Sequence, residues 1–219
     1  LRQLIIPCSL AALIAYQSLT VLPIILGALV DYRGFTLANV GYVGSVEILG
    51  MALAVAISTG LINRVPRNWL AFIAAIALGL TQISSAFTLG PSLFFAERFV
   101  AGLSAGCMAG VLASTIALAQ APERLTAFIY LIDALLASLL YLVLPAVIVR
   151  FELAGAYALL GAATLLIAPV FLLLPARGPT ATPASAGLRK DAVRVIGFAI
   201  ILSAAAAAHW TFTERMALQ

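Results

Sequence analysis

Two apolar runs of about twenty residues meet at 60–68, which reads Gly-Leu-Ile-Asn-Arg-Val-Pro-Arg-Asn. About twenty apolar residues is the length of helix that crosses a bilayer core. Between the runs stand Arg64, Arg67 and a proline. Backbone in lipid must satisfy its own hydrogen bonds, so two runs joined by so short a turn form a helical hairpin. Its basic turn belongs on the side of the membrane that collects arginine, the cytoplasm. That assignment sets the direction of every other segment.

The same length criterion gives seven candidate spans: 4–30, 41–62, 69–89, 92–119, 127–149, 153–174 and 194–213. The first is long, with a tilt or a bend expected at Pro23. Connections are short except at 175–193, a basic linker rich in Pro, Ala, Gly and Thr. With the 60–68 turn inside, Arg2, Arg64, Arg67, Arg124, Arg177, Arg189, Lys190 and Arg194 fall inside, and Arg33 and Arg150 outside. That asymmetry places the N-terminus in the cytoplasm. Charged residues are 9% of the chain, against about 25% in soluble domains, which excludes a soluble fold. The net charge of +4 is scattered through short loops, so it is no nucleic-acid footprint. Cys8 and Cys107 lie inside spans and read as small buried hydrophobes. No metal cluster, nucleotide motif or haem ligand pair appears, and no cofactor is expected. The fold class is all-α, a polytopic membrane helix bundle, and the expected partners are the lipid bilayer and a small solute.

The 60–68 turn resembles the signature loop between the second and third helices of the major facilitator superfamily, roughly Gly-x-Leu-x-Asp-Arg-x-Gly-Arg-Arg/Lys. Gly60, Leu61, Arg64 and Arg67 fall in register with it. Asn63 stands where the family has Asp, and Pro66 where it has Gly, so the negative charge of the family's gating loop is missing here. Six spans, a long basic linker and a seventh span match the plan of such a transporter cut soon after its midpoint. The resemblance implies an N-terminal six-helix bundle over 1–174, a cytoplasmic linker over 175–193 and a truncated seventh helix over 194–219. It further implies a missing C-terminal bundle of the same protein, and a plasma membrane, of the bacterial inner type, as its location. Inverted three-helix repeats are implied as well, although 4–89 and 92–174 share no convincing sequence identity.

Several residues within spans could carry chemistry. The fourth span reads Arg98-x-x-x-Gly102-x-x-x-Gly106-x-x-x-Gly110. Residues four apart stack on one helix ridge, and glycines there let a second helix approach closely. A charge inside a span is costly and marks a pathway more often than not, so Arg98 is a candidate for substrate binding or proton coupling. Glu47 and Arg98 each lie about 9–10 Å below the outer surface, whereas Asp133 lies about 10 Å above the inner one. Glu47 is therefore the carboxylate at the right depth to pair with Arg98 or to carry the proton. Glu97 points about 100° away from Arg98, toward the outer interface. Tyr16, Gln17 and Thr20 sit in the middle of the first span. In the family that helix lines the cavity with the fourth, so the cluster resembles half a substrate site; interhelical hydrogen bonding is the alternative. Thr81, Gln82, Ser84 and Ser85 read as structural, because the third helix is peripheral in the family.

The expected function is solute transport by alternating access; Glu47, Arg98 and Asp133 make proton coupling plausible, and a uniporter could carry the same residues. Two other classes stay open. Gly102-Leu-Ser104-Ala-Gly106 satisfies the Gly-x-Ser-x-Gly pattern of serine hydrolases, and Ser104 with His209 would make an intramembrane hydrolase. That pattern, however, requires a strand-to-helix turn. The third class is a non-transporting membrane scaffold.

Overall fold

The computed structural model describes residues 2–62 and 64–177. The linker beyond Arg177, the seventh span with His209 and Trp210, and Asn63 lie outside the described residues. The described chain is helical: α1 (Arg2–Thr20), α2 (Leu22–Arg33), α3 (Leu37–Leu61), α4 (Arg67–Phe87), α5 (Pro91–Ala117), α6 (Pro122–Ile167) and a 3₁₀ turn (Ala168–Leu173). Among the described residues, five helices are long and apolar enough to cross a membrane. This is a helical bundle of the kind integral membrane proteins form.

Local sequence sets the ends of these helices. Gly34, at φ 64°, takes the left-handed conformation that ends α2, and the amides of Gly34 and Phe35 return to the carbonyls of Val30 and Leu29. Thr36 caps α3 by accepting from the Asn39 amide. Pro91 and Pro122 open α5 and α6, where a missing N–H costs nothing. The long first span is two helices rather than one bent helix. The break falls at Val21, two residues before the expected Pro23, because a proline clashes with the preceding turn and fits best just inside a new helix.

Within α6, Glu152 has φ 57° and ψ −165°, and the chain turns there. A Cβ on Gly155 would meet the Val147 side chain, and Leu140 and Val143 line one cavity with Leu159 and Ala163. The two arms, 122–151 and 153–167, therefore lie side by side, corresponding to the expected spans 127–149 and 153–174.

The interior has two apolar layers with a polar seam between them. One layer lies toward the 62–66 loop and holds Ala11, Ala15, Leu78, Met108, Leu112 and Phe171. The other lies toward Gly34 and Gly90 and holds Leu22, Leu29, Val43, Phe94, Leu153 and Leu160. Between them, each of α1, α3, α4, α5 and the second arm of α6 contributes a buried polar residue: Gln17, Glu47, Gln82, Arg98 and Thr164.

Candidate functional site

Among the described residues, Arg98 is the largest fully buried side chain, at 1% exposure. About two turns into α5, it points into the bundle toward α3, α4 and the second arm of α6. Its Nη1 lies 3.8 Å from Glu47 Oε1. Nη1 also donates to Gln82 Oε1 at 3.0 Å, and Nη2 to Ser85 Oγ at 2.6 Å. The guanidinium lies over the Tyr157 ring, 4.7 Å from its centroid, and 5.5 Å from that of Phe94. These contacts answer the cost of a buried cation with an anion, two neutral acceptors and two ring faces. A cavity of about one water molecule adjoins the group, lined by Ser18, Glu47, Gln82, Arg98 and Tyr157 among others.

Glu97 does not reach the outer interface, as its position one residue from Arg98 suggested. It is buried and accepts from the hydroxyls of Ser84, Ser85 at 3.0 Å and Thr88 at 2.7 Å. Three donors on a carboxylate make burial of its charge tolerable. Ser85 thus sits between Arg98 and Glu97. Gln82 passes the contact on, donating from Nε2 to Ser18 Oγ at 3.1 Å. Of the polar residues of the third span, read from the sequence as structural, Gln82 and Ser85 hold Arg98, while Ser84 bonds Glu97 and Thr81 its own helix. The signal was present in the sequence: Ala71, Ala75, Leu78, Gln82 and Ser85 share one helical stripe, and all five are buried.

Arg33 was counted above only as an outer-side charge. Its guanidinium donates to the carbonyls of Ser85, Ala86 and Thr88 and caps the C-terminal end of α4. That end carries unsatisfied carbonyls and partial negative charge, so a cation belongs there.

The Tyr16, Gln17 and Thr20 cluster divides. Gln17 turns inward and donates to Thr164 Oγ1 at 3.0 Å on the second arm of α6, which is the interhelical bond set out as the alternative to a substrate site. Thr20 gives its carbonyl to the Tyr141 hydroxyl at 2.6 Å. Tyr16 stays accessible, with Tyr130 and Asp133 in electrostatic reach of its hydroxyl. The ion pair of Arg98 is with Glu47 and not with Asp133.

Gly102, Gly106 and Gly110 face α3. A Cβ on Gly102 would meet the Glu47 carbonyl, one on Gly106 the Met51 carbonyl, and one on Gly110 the Ser58 side chain. The ridge lets two backbones touch, and it fixes Glu47 against α5. In the 60–68 turn, Leu61, Ile62 and Val65 pack on the apolar layer toward the 62–66 loop while Arg64 is exposed. The Arg67 amide donates to the Ala176 carbonyl at 2.9 Å, and Asn68 Nδ2 to the Leu172 carbonyl at 3.4 Å. A Cβ on Gly60 would meet nothing within 4 Å among the described residues.

Ser104 lies mid-helix in α5, and its hydroxyl donates to the Val100 carbonyl at 2.9 Å. It occupies no strand-to-helix turn. Ser104→Ala removes only a bond within its own helix, so the melting temperature in detergent should shift by no more than about 0.5 kcal/mol allows. A loss of several kcal/mol would give the hydroxyl a role beyond its own helix.

No protein-family model matches the chain, and none of the curated proteins compared with it matches.

Proposed function

We propose that this bundle is the N-terminal half of a secondary transporter that moves a small solute by alternating access, with major-facilitator-like architecture. The observation that carries the reading is how the helices pair. Counting each arm of α6 as one span, and α1 with α2 as one, gives six. The second span packs on the fourth through the glycine ridge, and the fifth on the first through Tyr141 and Thr20. The third packs on the fourth through Gln82 and Arg98, and the sixth on the first through Thr164 and Gln17. The third packs on the sixth, with Gly79 against Gly161. Exchanging spans one to three with four to six maps this pattern onto itself, as inverted three-helix repeats would. A buried ion pair within an apolar bundle is a second support. Glu47 and Arg98 are then the proposed coupling pair, and proton coupling is favoured over uniport because a carboxylate and a guanidinium are buried together within spanning helices.

The pathway face of α5 is the stripe Ala96, Val100, Leu103, Cys107 and Ser114, which is accessible or half-buried along its length. Single cysteines at Val100 and Ser114, in a background lacking Cys8 and Cys107, test alternating access without a known substrate. Membrane-impermeant thiol reagents should reach Val100→Cys from the outside and Ser114→Cys from the inside, with reactivities that rise and fall in opposition. Reactivity at neither site, or parallel reactivity at both, rejects the reading. Orientation is checked in the same vesicles. Cysteines at 61–67 should be labelled from the cytoplasm alone, and cysteines at 33–36 from outside alone; the reverse pattern overturns the topology.

A further inference from the structure

The Glu47–Arg98 pair is not closed by a hydrogen bond. Its nitrogen and oxygen stand 3.8 Å apart, beyond hydrogen-bond reach. Glu47 Oε1 is buried and has no hydrogen-bond partner among the described residues, and the same holds for Arg98 Nε. A buried carboxylate oxygen without a donor is costly. Turning Arg98 toward Glu47 would give up the bonds that its Nη1 makes to Gln82 and its Nη2 to Ser85.

A donor for Oε1 fits beside the pair. The cavity there is the size of one water molecule, lined by Glu47, Arg98, Ser18, Gln82 and Tyr157, with Val43 in its apolar wall. Ser18 Oγ accepts from Gln82 Nε2 at 3.1 Å, and its own O–H has no acceptor among the described residues. A polar contact longer than a hydrogen bond is the usual place for a bridging water. Water sits about 2.8 Å from each partner, so one molecule reaches across a gap of 3.8 Å. The other charged and titratable groups around Glu47 are Glu97 on α5, Tyr157 on the second arm of α6 and Arg33 on α2. Glu97 is occupied by three hydroxyls and Arg33 by the end of α4, which leaves Oε1 to the cavity.

We propose that this cavity holds one water molecule that donates to Glu47 Oε1 and accepts from the Ser18 hydroxyl, and that this water relays the coupling proton to Glu47. In the relay a hydronium ion of the medium gives a proton to the water, and the water gives one of its own to Oε1. One O–H bond breaks on each donor and one forms on each acceptor, so the water is unchanged and the carboxylate becomes the acid. Ser18 is a positioning residue that acts through the water. The relay rests on the transport reading; the water site does not.

Infrared spectra of the full chain in nanodiscs test both parts. Water labelled with oxygen-18 shifts the stretching band of a bound water and leaves the hydroxyls of Ser18 and Tyr157 where they are. The parent should show a sharp band that shifts with the label, and Glu47→Gln should move it, because an amide accepts more weakly than a carboxylate. Val43→Ile adds a methyl group to the cavity wall and should abolish the band, whereas Val43→Ala leaves the space and should keep it. Both leave every polar group intact, and thermal melts report whether they fold. Ser18→Ala removes one partner of the water, should weaken the band, and carries the test if Val43→Ile does not fold. After a pH jump, the carboxyl band of Glu47, assigned by its loss in Glu47→Gln, should rise roughly tenfold more slowly in Val43→Ile and Ser18→Ala. Val43→Ala should stay within about threefold of the parent. No label-sensitive band in the parent, or a band indifferent to both Val43→Ile and Ser18→Ala, overturns the site. An unchanged rate where the band is lost, or no Glu47 carboxyl band at all, rejects the relay and keeps the water. A working relay in a chain whose Val100→Cys and Ser114→Cys fail the labelling test rejects transport and keeps the site.

Discussion

Arg98→Ala should destabilise the bundle by about 3–5 kcal/mol, because it leaves Glu47 as an uncompensated buried carboxylate. It also strands Gln82 Oε1 and Ser85 Oγ, which accept from the guanidinium. Glu47→Ala should cost less. Arg98 would keep Gln82, Ser85 and the faces of Tyr157 and Phe94, and through Ser85 it remains one hydroxyl away from Glu97. The double variant should be more stable than Arg98→Ala alone, since it removes both charges together. The measurement is a double-mutant cycle on melting in detergent. A coupling energy near zero would show that a separation of 3.8 Å carries no energetic link. In the proposed transporter, uptake in Glu47→Gln should lose its dependence on the proton gradient. An unchanged dependence would leave the pair a structural one and remove Glu47 as the carrier.

Depth along a helix could be read from the sequence, and direction around it could not. Glu47 and Arg98 were matched by counting residues from the outer ends of their spans, which needs only a rise of about 1.5 Å per residue. That count is one-dimensional and survives small errors in boundaries. Direction usually comes from amphipathicity, and in a membrane the outward face of a helix is as apolar as the inward one. Ile57, Ile73, Leu80, Leu135 and Leu142 are exposed and in sequence look like core. The structural reading of Gln82 and Ser85 therefore named no partner for them, although the two continue a buried stripe with Ala71, Ala75 and Leu78. Tyr16 and Thr20 share a helix face with Gln17 beside them, and one residue is about 100° of rotation, enough to send Gln17 to Thr164. The break at Val21 and the turn at Glu152 escaped for a different reason. Neither position carries a glycine, and the tertiary packing around them sets the backbone.

The glycine ridge of α5 gives the other large effect, and it differs by position. Alanine in place of a helical glycine normally adds up to about 1 kcal/mol of helix stability. At Gly102 and Gly106 the added methyl would lie against the carbonyl groups of Glu47 and Met51, and backbone yields only if α3 moves as a whole. Overpacking of this kind costs about 1–3 kcal/mol or more, so each substitution should be clearly destabilising. At Gly110 the obstacle is the Ser58 hydroxyl, which now donates to the Val55 carbonyl at 2.8 Å. A side chain can rotate away, so Gly110→Ala should cost less than either neighbour. At Gly60 nothing among the described residues obstructs the methyl, and Gly60→Ala should be neutral or stabilising. Gly102 carries a further consequence. The carbonyl its methyl would displace belongs to Glu47, so pushing α3 outward draws the carboxylate away from Arg98. Gly102→Ala should therefore lower the coupling energy between Glu47 and Arg98, and Gly106→Ala, one turn further on, should lower it less. Equal losses at all four glycines would mean that the α3–α5 seam is not the close backbone contact that holds the pair together.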